Sequence, residues 1–433
     1  MMVASLVVSG LAGCGSSQSD DGKGKVYYLN FKPEINDEWQ ALAKAYTEAT
    51  GVEVTVVTAA SDTYESTLRS EITKDDAPTL FQVNGPVGLK TWEEYCDDMS
   101  DTEPYNQLKD QSQALKNSDG TIVAVPYVEE SYGLIYNKTL LNKYISLSGT
   151  KISSVDDIKS FDKLKQVADD IQARKAELGV EGAFSSAGFD SSSDWRFTGH
   201  LANIPLFYEF RDGNITDQPA TIKGTYLDNF KRIFDLYTID STTDLTLLSS
   251  KTVDDSTTEF ATGKSVFYQN GTWAWDALKK AGVASDNVGM IPIYIGVPGE
   301  ENQGLAMGSE NYWCVNKDAS EADRKATKDF LKWLVTSDDA KTALTDRMGF
   351  ITPFKTMQNM VPDNPLSKAA VDDANNPDTY NVDWVFERIP STEWKSNLGS
   401  ALLNYAQGTG DWNAVRTAFV DGWATEYANS SGN

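Results

Sequence analysis

Two features of the sequence could bind or cleave a sugar: a pair of adjacent carboxylates, and a tryptophan that follows a short strand. Glycosidases place two carboxylates about 5 to 9.5 Å apart on either side of the scissile bond. Glu129 and Glu130 are consecutive in an extended segment, where neighbouring side chains point to opposite faces. Only one of them can therefore enter a cleft. A lone carboxylate binds hydroxyl groups but does not hydrolyse a glycosidic bond.

Trp273 lies where a flat ring can be offered to a ligand. Gly263 predicts the end of a helix, residues 265–269 predict a short strand, and residues 270–272 predict a turn in which Thr272 caps the next helix. Loops at the carboxyl ends of such strands carry free backbone N–H groups. An indole beside these donors suits a sugar, which has an apolar C–H face and a rim of hydroxyls. Core packing is the alternative role for this side chain.

Signatures of other chemistries are incomplete. Residues 263–265 resemble the end of a phosphate-binding loop, but the first glycine of that loop would fall on Thr258. The single histidine, His200, argues against a histidine-based triad or multi-histidine metal site, and we expect it to be structural. The formal net charge of -25 argues against nucleic acid and phosphate-rich ligands. The composition favours a neutral ligand and implies no cofactor.

The length of the chain predicts two domains. At 433 residues it exceeds the size at which one hydrophobic core stops growing. Buried-strand patterns alternate with helical spacing of apolar residues, which is typical of a doubly wound α/β sheet. The strands are predicted at residues 26–31, 52–58, 79–83 and 288–295, and helices at residues 161–178 and 226–237. Pro292 makes the last of these strands an edge or hinge strand.

The amino-terminal region predicts a lipid anchor. Residues 1–13 are apolar and rich in small side chains, Cys14 follows, and residues 15–25 form a polar run. This arrangement resembles a bacterial lipobox, which implies removal of a signal peptide, lipidation of the Cys14 thiol and a flexible tether. No basic residue precedes Lys23, so we expect the charged start of the signal peptide to be missing from residues 1–13.

Two segments resemble one protein family. Residues 270–275 read Asn-Gly-Thr-Trp-Ala-Trp, and residues 134–138 read Leu-Ile-Tyr-Asn-Lys after a Pro-Tyr start at residues 126–127. Both are similar to segments of the extracellular solute-binding proteins (family 1) of carbohydrate ABC transporters, the maltose-binding-protein family. The resemblance implies an α/β, two-lobed periplasmic-binding-protein-like fold, with doubly wound sheets and a hinge between the lobes. It implies that Trp273 stacks on a sugar and that Trp275 packs.

The same resemblance implies how the chain is divided between the lobes. The first lobe is expected to comprise residues 26–131 and a return segment, residues 309–348. The second is expected to comprise residues 132–308 and the carboxyl-terminal helices of residues 349–433. Cys96 and Cys314 could pair, although we expect both to remain buried thiols.

The candidate ligand-binding residues follow from strand ends and from the resemblance. Polar contacts gather just past first-lobe strands and at the hinge. When residues 136–138 are aligned with the family segment, the resemblance favours Glu130 over Glu129 as the glutamate in the cleft. Solvated loops or ordinary packing are the alternatives for each candidate. The predicted ligand-binding residues are Lys32, Glu34, Asn84, Glu130, Trp195, Trp273, Glu310, Asn311 and Trp394.

The resemblance implies a monomeric lipoprotein on the extracellular face of the cell membrane, and the acidic composition with the lipobox favours a Gram-positive bacterium. It would capture an oligosaccharide and deliver it to the permease subunits of an ABC importer, with no nucleic acid partner and no membrane contact beyond the lipid. One alternative is a secreted glycoside hydrolase or transferase acting on the same sugars. Another is a lipoprotein that binds a peptide or polyamine. The sugar, its linkage and its length stay open.

Overall fold

The computed structural model describes residues 22–59, 63–186, 188–190 and 193–431, so Cys14 and the predicted leader lie outside the described residues. The described strands are β1 (Lys25–Asn30), β2 (Glu53–Thr58), β3 (Leu80–Asn84), β4 (Leu115–Lys116), β5 (Ile122–Pro126), β6 (Glu130–Asn137), β7 (Gly182–Phe184), β8 (Ser265–Gly271), β9 (Val288–Ile291), β10 (Gln303–Gly308), β11 (Asn311–Val315) and β12 (Tyr380–Asp383). The described α-helices are α1 (Asn36–Thr50), α2 (Tyr64–Glu71), α3 (Gly85–Trp92), α4 (Glu103–Gln107), α5 (Lys138–Ile145), α6 (Phe161–Ala173), α7 (Lys175–Leu178), α8 (Ala202–Gly213), α9 (Leu227–Ile239), α10 (Val253–Ala261), α11 (Trp275–Lys280), α12 (Glu321–Thr336), α13 (Asp338–Thr342), α14 (Pro365–Ala374), α15 (Thr392–Ala406), α16 (Trp412–Arg416) and α17 (Gly422–Ser431).

The strands form two sheets. The first has the order β2-β1-β3-β11-β5-β4, and the second has the order β12-β10-β6-β8-β7, with β9 also paired to β6. β1 runs parallel to its neighbours β2 and β3. Tyr28 of β1 lies opposite Val56 in β2 and opposite Leu80 in β3. β11 returns antiparallel between β3 and β5. The mixed α/β fold predicted from the sequence is confirmed, with one sheet for each predicted lobe.

Helix α1 illustrates how the apolar spacing builds the first lobe. Trp39, Leu42 and Tyr46 recur at helical spacing and are all buried. Tyr46 packs edge-on against Phe330 of α12, with ring centroids 5.0 Å apart. Gly51 ends the helix with φ 74°, a left-handed conformation that glycine adopts without steric cost. The short loop that follows leads directly into β2.

Two predicted elements differ from the structure. The helix predicted at residues 161–178 is interrupted at Arg174, whose backbone (φ -103°, ψ 14°) separates α6 from α7 and whose guanidinium bonds the Ser148 carbonyl. The strand predicted at residues 288–295 ends at Ile291 as β9. The next residue is Pro292, which has no N–H to donate to a neighbouring strand.

Two described segments join a strand of one sheet directly to a strand of the other, residues 127–129 and residues 309–310, and a third connection runs from β11 to β12 through helices α12, α13 and α14. The first two are joined by a hydrogen bond of 2.8 Å from Ser309 Oγ to the Val128 carbonyl. Phe354 and Met357 belong to the buried cluster under the first sheet, although they follow the predicted end of the return segment at residue 348. The packing of the first lobe therefore continues past that boundary, and the other lobe boundaries stay predictions.

The remaining expectations about the fold concern cysteines and membrane-spanning helices. Cys96 and Cys314 are both buried free thiols, as expected. Within the described ranges, no helix combines the length and the apolar character that crossing a bilayer requires.

A buried carboxylate organises the loop between β9 and β10. Glu300 is 4% exposed and accepts hydrogen bonds from the backbone N–H groups of Phe161 (2.7 Å), Ile295 (2.9 Å) and Gly296 (2.7 Å). Burial raises the pKa of Glu300, while these N–H donors oppose that rise. The carboxylate thus ties the start of α6 to a loop that leads into the second sheet.

We expect Glu300→Gln to lower the free energy of unfolding by about 1–3 kcal/mol. Either orientation of the amide turns an NH2 group toward a backbone N–H and leaves a buried donor without an acceptor. Urea denaturation measures the change, and Glu301→Gln, at an exposed neighbouring position, is the control. Equal stabilities for the two variants would contradict this role for Glu300.

Candidate functional site

The ends of several strands meet between the two sheets. Asn84 at the end of β3 lies opposite Asn311 at the start of β11. Gly308 at the end of β10 lies opposite Glu130 at the start of β6. Because two residues separate β10 from β11, these two edges adjoin. This is the position where ligands bind in open α/β sheets.

A buried ion pair occupies the middle of this region. Lys32 Nζ lies 2.8 Å from Glu130 Oε1 and 3.0 Å from Oε2, and the two residues are 5% and 6% exposed. Asn311 Nδ2 donates to Glu130 Oε2 at 3.2 Å, and a carboxylate oxygen of Glu34 lies 3.7 Å from Lys32 Nζ. Burial lowers the pKa of Lys32, but the negative charges of Glu130 and Glu34 have a larger combined effect, so its pKa is raised. Lys32 is therefore a protonated donor.

The structure distinguishes the two adjacent glutamates. Glu130 bonds Lys32 and Asn311, as described above. Glu129 points the other way: its Oε1 lies 3.4 Å from Gln113 Nε2, and its backbone N–H donates to the Ile351 carbonyl at 2.7 Å. The alternation of side chains along an extended segment accounts for this division.

Aromatic rings form one wall of the site. Trp273 is half-buried, and its ring centroid lies 5.9 Å from that of Trp195, 5.2 Å from that of His200 and 6.4 Å from that of Trp384. Trp273 rests on the end of β8, where a Cβ on Gly271 would lie 2.3 Å from its ring. Gly271 is therefore required for the indole to lie in this position.

The helix cap predicted for Thr272 is wrong. β8 extends through Gly271, a single 3-10 turn (Thr272–Ala274) follows, and the Thr272 side chain caps no helix. Its Oγ1 instead accepts a hydrogen bond of 3.4 Å from the backbone N–H of Ser131. Strand pairing with β6 holds the segment extended, so the hydroxyl serves the neighbouring strand rather than a helix start.

Trp394 is not a ligand contact. Its side chain is fully buried, its Nε1 donates to the Phe419 carbonyl at 3.0 Å, and its ring packs against Trp423. The next residue, Lys395, is half-buried with Nζ 5.7 Å from the centroid of the Phe386 ring. The charge of Lys395 opposes the rise in the pKa of Glu310, so Lys395 acts electrostatically on the candidate site from α15.

Two carboxyl groups lie close to the central ion pair. Glu310 connects β10 to β11, and burial followed by Glu130 raises its pKa, while Lys395 and Lys32 oppose that rise. Burial, then Glu310, raises the pKa of Glu387 well above its usual range. The sequence shows no pattern around Glu387, Lys395 or Trp384 that would have singled them out.

Several buried polar atoms in this region have no hydrogen-bond partner within the described part of the chain. Leaving such an atom dry and unpaired costs about 1–3 kcal/mol. Acceptors predominate among them, so a ligand rich in hydroxyl donors would satisfy them. These atoms are Asn84 Oδ1, Asn311 Oδ1, Glu387 Oε1, Ser131 Oγ, His200 Nδ1 and Trp384 Nε1.

A cavity of about 230 Å³ adjoins the ion pair and Trp273. Glu130 and Glu34 form one side of it, and Trp273 and Trp275 form another. Trp275 packs against a buried cluster that includes Ala274 and Leu278, as expected, and its half-buried side chain also lines this cavity. Among the residues that the structure describes, no group of His, Cys, Asp and Glu side chains has the arrangement of a metal site.

The chain resembles a sugar-binding protein of Bacillus subtilis strain 168, the melibiose/raffinose/stachyose-binding protein MelE. The two are 27% identical over an aligned segment of 150 residues, which covers 33% of this chain. The alignment spans 35% of MelE, about a third of its length.

Solved structures show the same fold over nearly the whole chain. The solute-binding protein RafE in complex with raffinose matches with a TM-score of 0.72 and 16% identity, covering 93% of this chain and 100% of that one. A sugar transporter protein of Bacillus licheniformis in complex with stachyose matches with a TM-score of 0.65 and 17% identity, again covering 93% and 100%. The two-lobed binding-protein fold predicted from the sequence is confirmed.

The family model for bacterial extracellular solute-binding proteins matches residues 41–375. This match covers most of the chain, including the ends of β3, β6, β8, β10 and β11 that form the site. It describes binding proteins rather than enzymes, in agreement with the prediction that the chain is not an enzyme. The chain therefore belongs to the family of bacterial extracellular solute-binding proteins.

Proposed function

We propose that the protein captures an oligosaccharide in the cleft between its lobes and delivers it to an ABC importer. The observation that carries this proposal is the set of buried, unpartnered polar atoms beside the Trp273 wall. Sugar hydroxyls both donate and accept hydrogen bonds, and sugar rings offer an apolar face to an indole. A neutral oligosaccharide satisfies both surfaces at once.

The proposed ligand is an oligosaccharide of the raffinose class. MelE is named for melibiose, raffinose and stachyose, and RafE was solved in complex with raffinose. The Bacillus licheniformis protein was solved in complex with stachyose. The three proteins thus bind related sugars, and this chain resembles all of them.

Each wall of the cleft has a distinct role in this proposal. Trp273 and Trp195 stack on sugar rings. Glu130 and Asn84 bind hydroxyl groups through acceptor atoms, and Lys32 donates from the first lobe. Glu34, Glu310 and Asn311 supply further hydroxyl partners around the same ion pair.

Closure is proposed to be a hinge motion at the segments that connect the two sheets. A ligand favours the closed state when both lobes contact it only in that state. The permease subunits of the importer would then recognise the closed lobes. The lipid on Cys14 would hold the monomeric protein at the extracellular face of a Gram-positive membrane.

A polyamine or peptide is a weaker candidate. The cleft contains several carboxyl groups, which a polyamine would require, but two cations, Lys32 and Lys395, share it. Lys32 forms an ion pair with Glu130, with Nζ 2.8 Å from Oε1. Its charge would repel a polyamine, whereas sugar hydroxyls accept hydrogen bonds from it.

Isothermal titration with a sugar panel tests the function. We expect the chain from Gly15 onward to bind raffinose or stachyose more tightly than α-glucans, xylo-oligosaccharides or manno-oligosaccharides. Each sugar is recovered and checked for cleavage. Intact sugar with selective binding supports the proposal. Binding of another sugar class refutes the raffinose assignment, cleavage refutes transport, and no binding refutes sugar capture.

We expect Trp273→Ala to weaken sugar binding at least about 30-fold, because removal of an aromatic hot spot costs about 2 kcal/mol or more. Trp273→Phe should recover part of the affinity. Titration measures the loss, and circular dichroism checks the fold. Trp333→Ala, a half-buried tryptophan on α12 far from the cleft, is the matched control. Unchanged affinity in Trp273→Ala would exclude stacking at this residue.

A further inference from the structure

Glu387 reaches across from the second lobe to the first. It lies in the 3-10 turn Val385–Arg388, which follows β12 of the second sheet. Its side chain rests on Gly85 at the start of α3, where a Cβ would lie 3.5 Å from Glu387 Cγ and 3.7 Å from its carboxyl carbon. These are ordinary van der Waals distances, so the glycine is required by its backbone conformation, φ 60°, rather than by lack of space. Glu387 therefore packs directly on the backbone at the start of α3.

The same glycine holds a second carboxyl-bearing residue. The backbone N–H of Gly85 donates to the carbonyl of Glu310 at 2.8 Å. The backbone of Glu310 and the side chain of Glu387 thus both contact Gly85, and the charge of Glu310 acts on the Glu387 carboxyl group. Glu387 Oε1 is buried and has no hydrogen-bond partner in the described structure.

The other charged and titratable groups around Glu387 do not supply enough positive charge to balance both Glu387 and Glu310. On its own turn, Arg388 directs a guanidinium nitrogen to the Ile215 carbonyl at 3.3 Å. Lys395 on α15 acts on Glu310 as well as on Glu387. Tyr312 on β11 is a neutral neighbour, since burial and then Glu387 raise its pKa well above its usual range.

We propose that Glu387 is a ligand-binding residue that enters the closed cleft as a neutral carboxylic acid, taking up one proton from solvent as the lobes close on the sugar. Its O–H group then donates a hydrogen bond to a ligand oxygen. In an open cleft Glu387 leaves Gly85 and Glu310, regains water and ionises. This inference rests on the proposed function of sugar capture.

The proton resides on Glu387 rather than on Glu310 for an electrostatic reason. Glu310 lies close to two cations, Lys32 and Lys395, which stabilise its ionised form. Arg388 and Lys395 stabilise the ionised form of Glu387 and lower its pKa, but the negative charge of Glu310 raises that pKa by more than either cation lowers it. Two carboxylates that share a desolvated site cannot both ionise cheaply, so the one with less compensation is protonated.

The pH dependence follows from linkage. A free glutamate has a pKa of about 4.3, and in the proposed closed cleft burial, followed by the charge of Glu310, raises the pKa of Glu387. Between these two pKa values, binding takes up a proton, so affinity falls as pH rises, by up to about tenfold per pH unit. Above the raised pKa, the affinity levels off at its lower value.

Titration with raffinose and stachyose tests the proposal, using the chain from Gly15 onward between about pH 5 and about pH 8. At each pH the heat is measured in two buffers of different ionisation enthalpy, which gives the number of protons taken up. We expect proton uptake and falling affinity with rising pH in the wild type. We expect neither in Glu387→Gln, which mimics the neutral acid. Glu393→Gln, an exposed carboxylate on α15, should behave like the wild type.

A second measurement keeps the test decisive if Glu387→Gln fails to fold. Difference infrared spectra of the wild type should show the carbonyl stretch of a protonated carboxyl group appearing when sugar is added. Glu310→Gln removes the neighbouring charge and should reduce both this band and the proton uptake. Sugar binding that is independent of pH and buffer overturns the inference and leaves sugar capture standing. No binding at any pH overturns both.

Discussion

The buried ion pair between Lys32 and Glu130 is the constraint on which the site depends. It joins the loop after β1 of the first sheet to the start of β6 in the second, beside the segment where the chain first crosses between them. Taking two charges out of water is costly, and only close geometry with added hydrogen bonds offsets that cost. Asn311 supplies such a bond to Glu130. The same contacts join strand ends that carry candidate ligand-binding side chains.

Around this pair the cleft combines an excess of acceptors with an aromatic wall. The site contains the carboxyl groups of Glu34, Glu130 and Glu310, the unpaired oxygens of Asn84 and Asn311, and the cation of Lys32. Trp273, Trp195 and Trp384 form one wall. A ligand that supplies many hydroxyl donors and an apolar ring face fits both properties. A protonated Glu387 would bring the charges of the closed cleft nearer to balance and would make it suited to an uncharged ligand.

Much of the fold and part of the site could be predicted from the sequence. Strand and helix positions in the first lobe followed from apolar spacing. Side-chain alternation allowed only one of Glu129 and Glu130 into the cleft, and the family resemblance favoured Glu130. Trp273 followed from the strand–turn pattern and from a family resemblance. Trp394 was misassigned because a one-residue step on a helix changes the facing side chain by about 100°. Trp384, Glu387 and Lys395 carry no local pattern, so their positions could not have been predicted.

The sequence by itself determined the elements whose signals are local. These are the buried apolar face of α1, the helix ends marked by glycine, and the extended segment that contains Glu130. Those signals work because backbone geometry repeats every 3.6 or 2 residues in any protein. The tertiary structure alone decided which side chain of α15 faces the cleft, since the packing of Trp394 against Phe419 and Trp423 sets the rotation of that helix. It also decided that Glu387 meets Gly85, because residues far apart in sequence come together only in the folded chain.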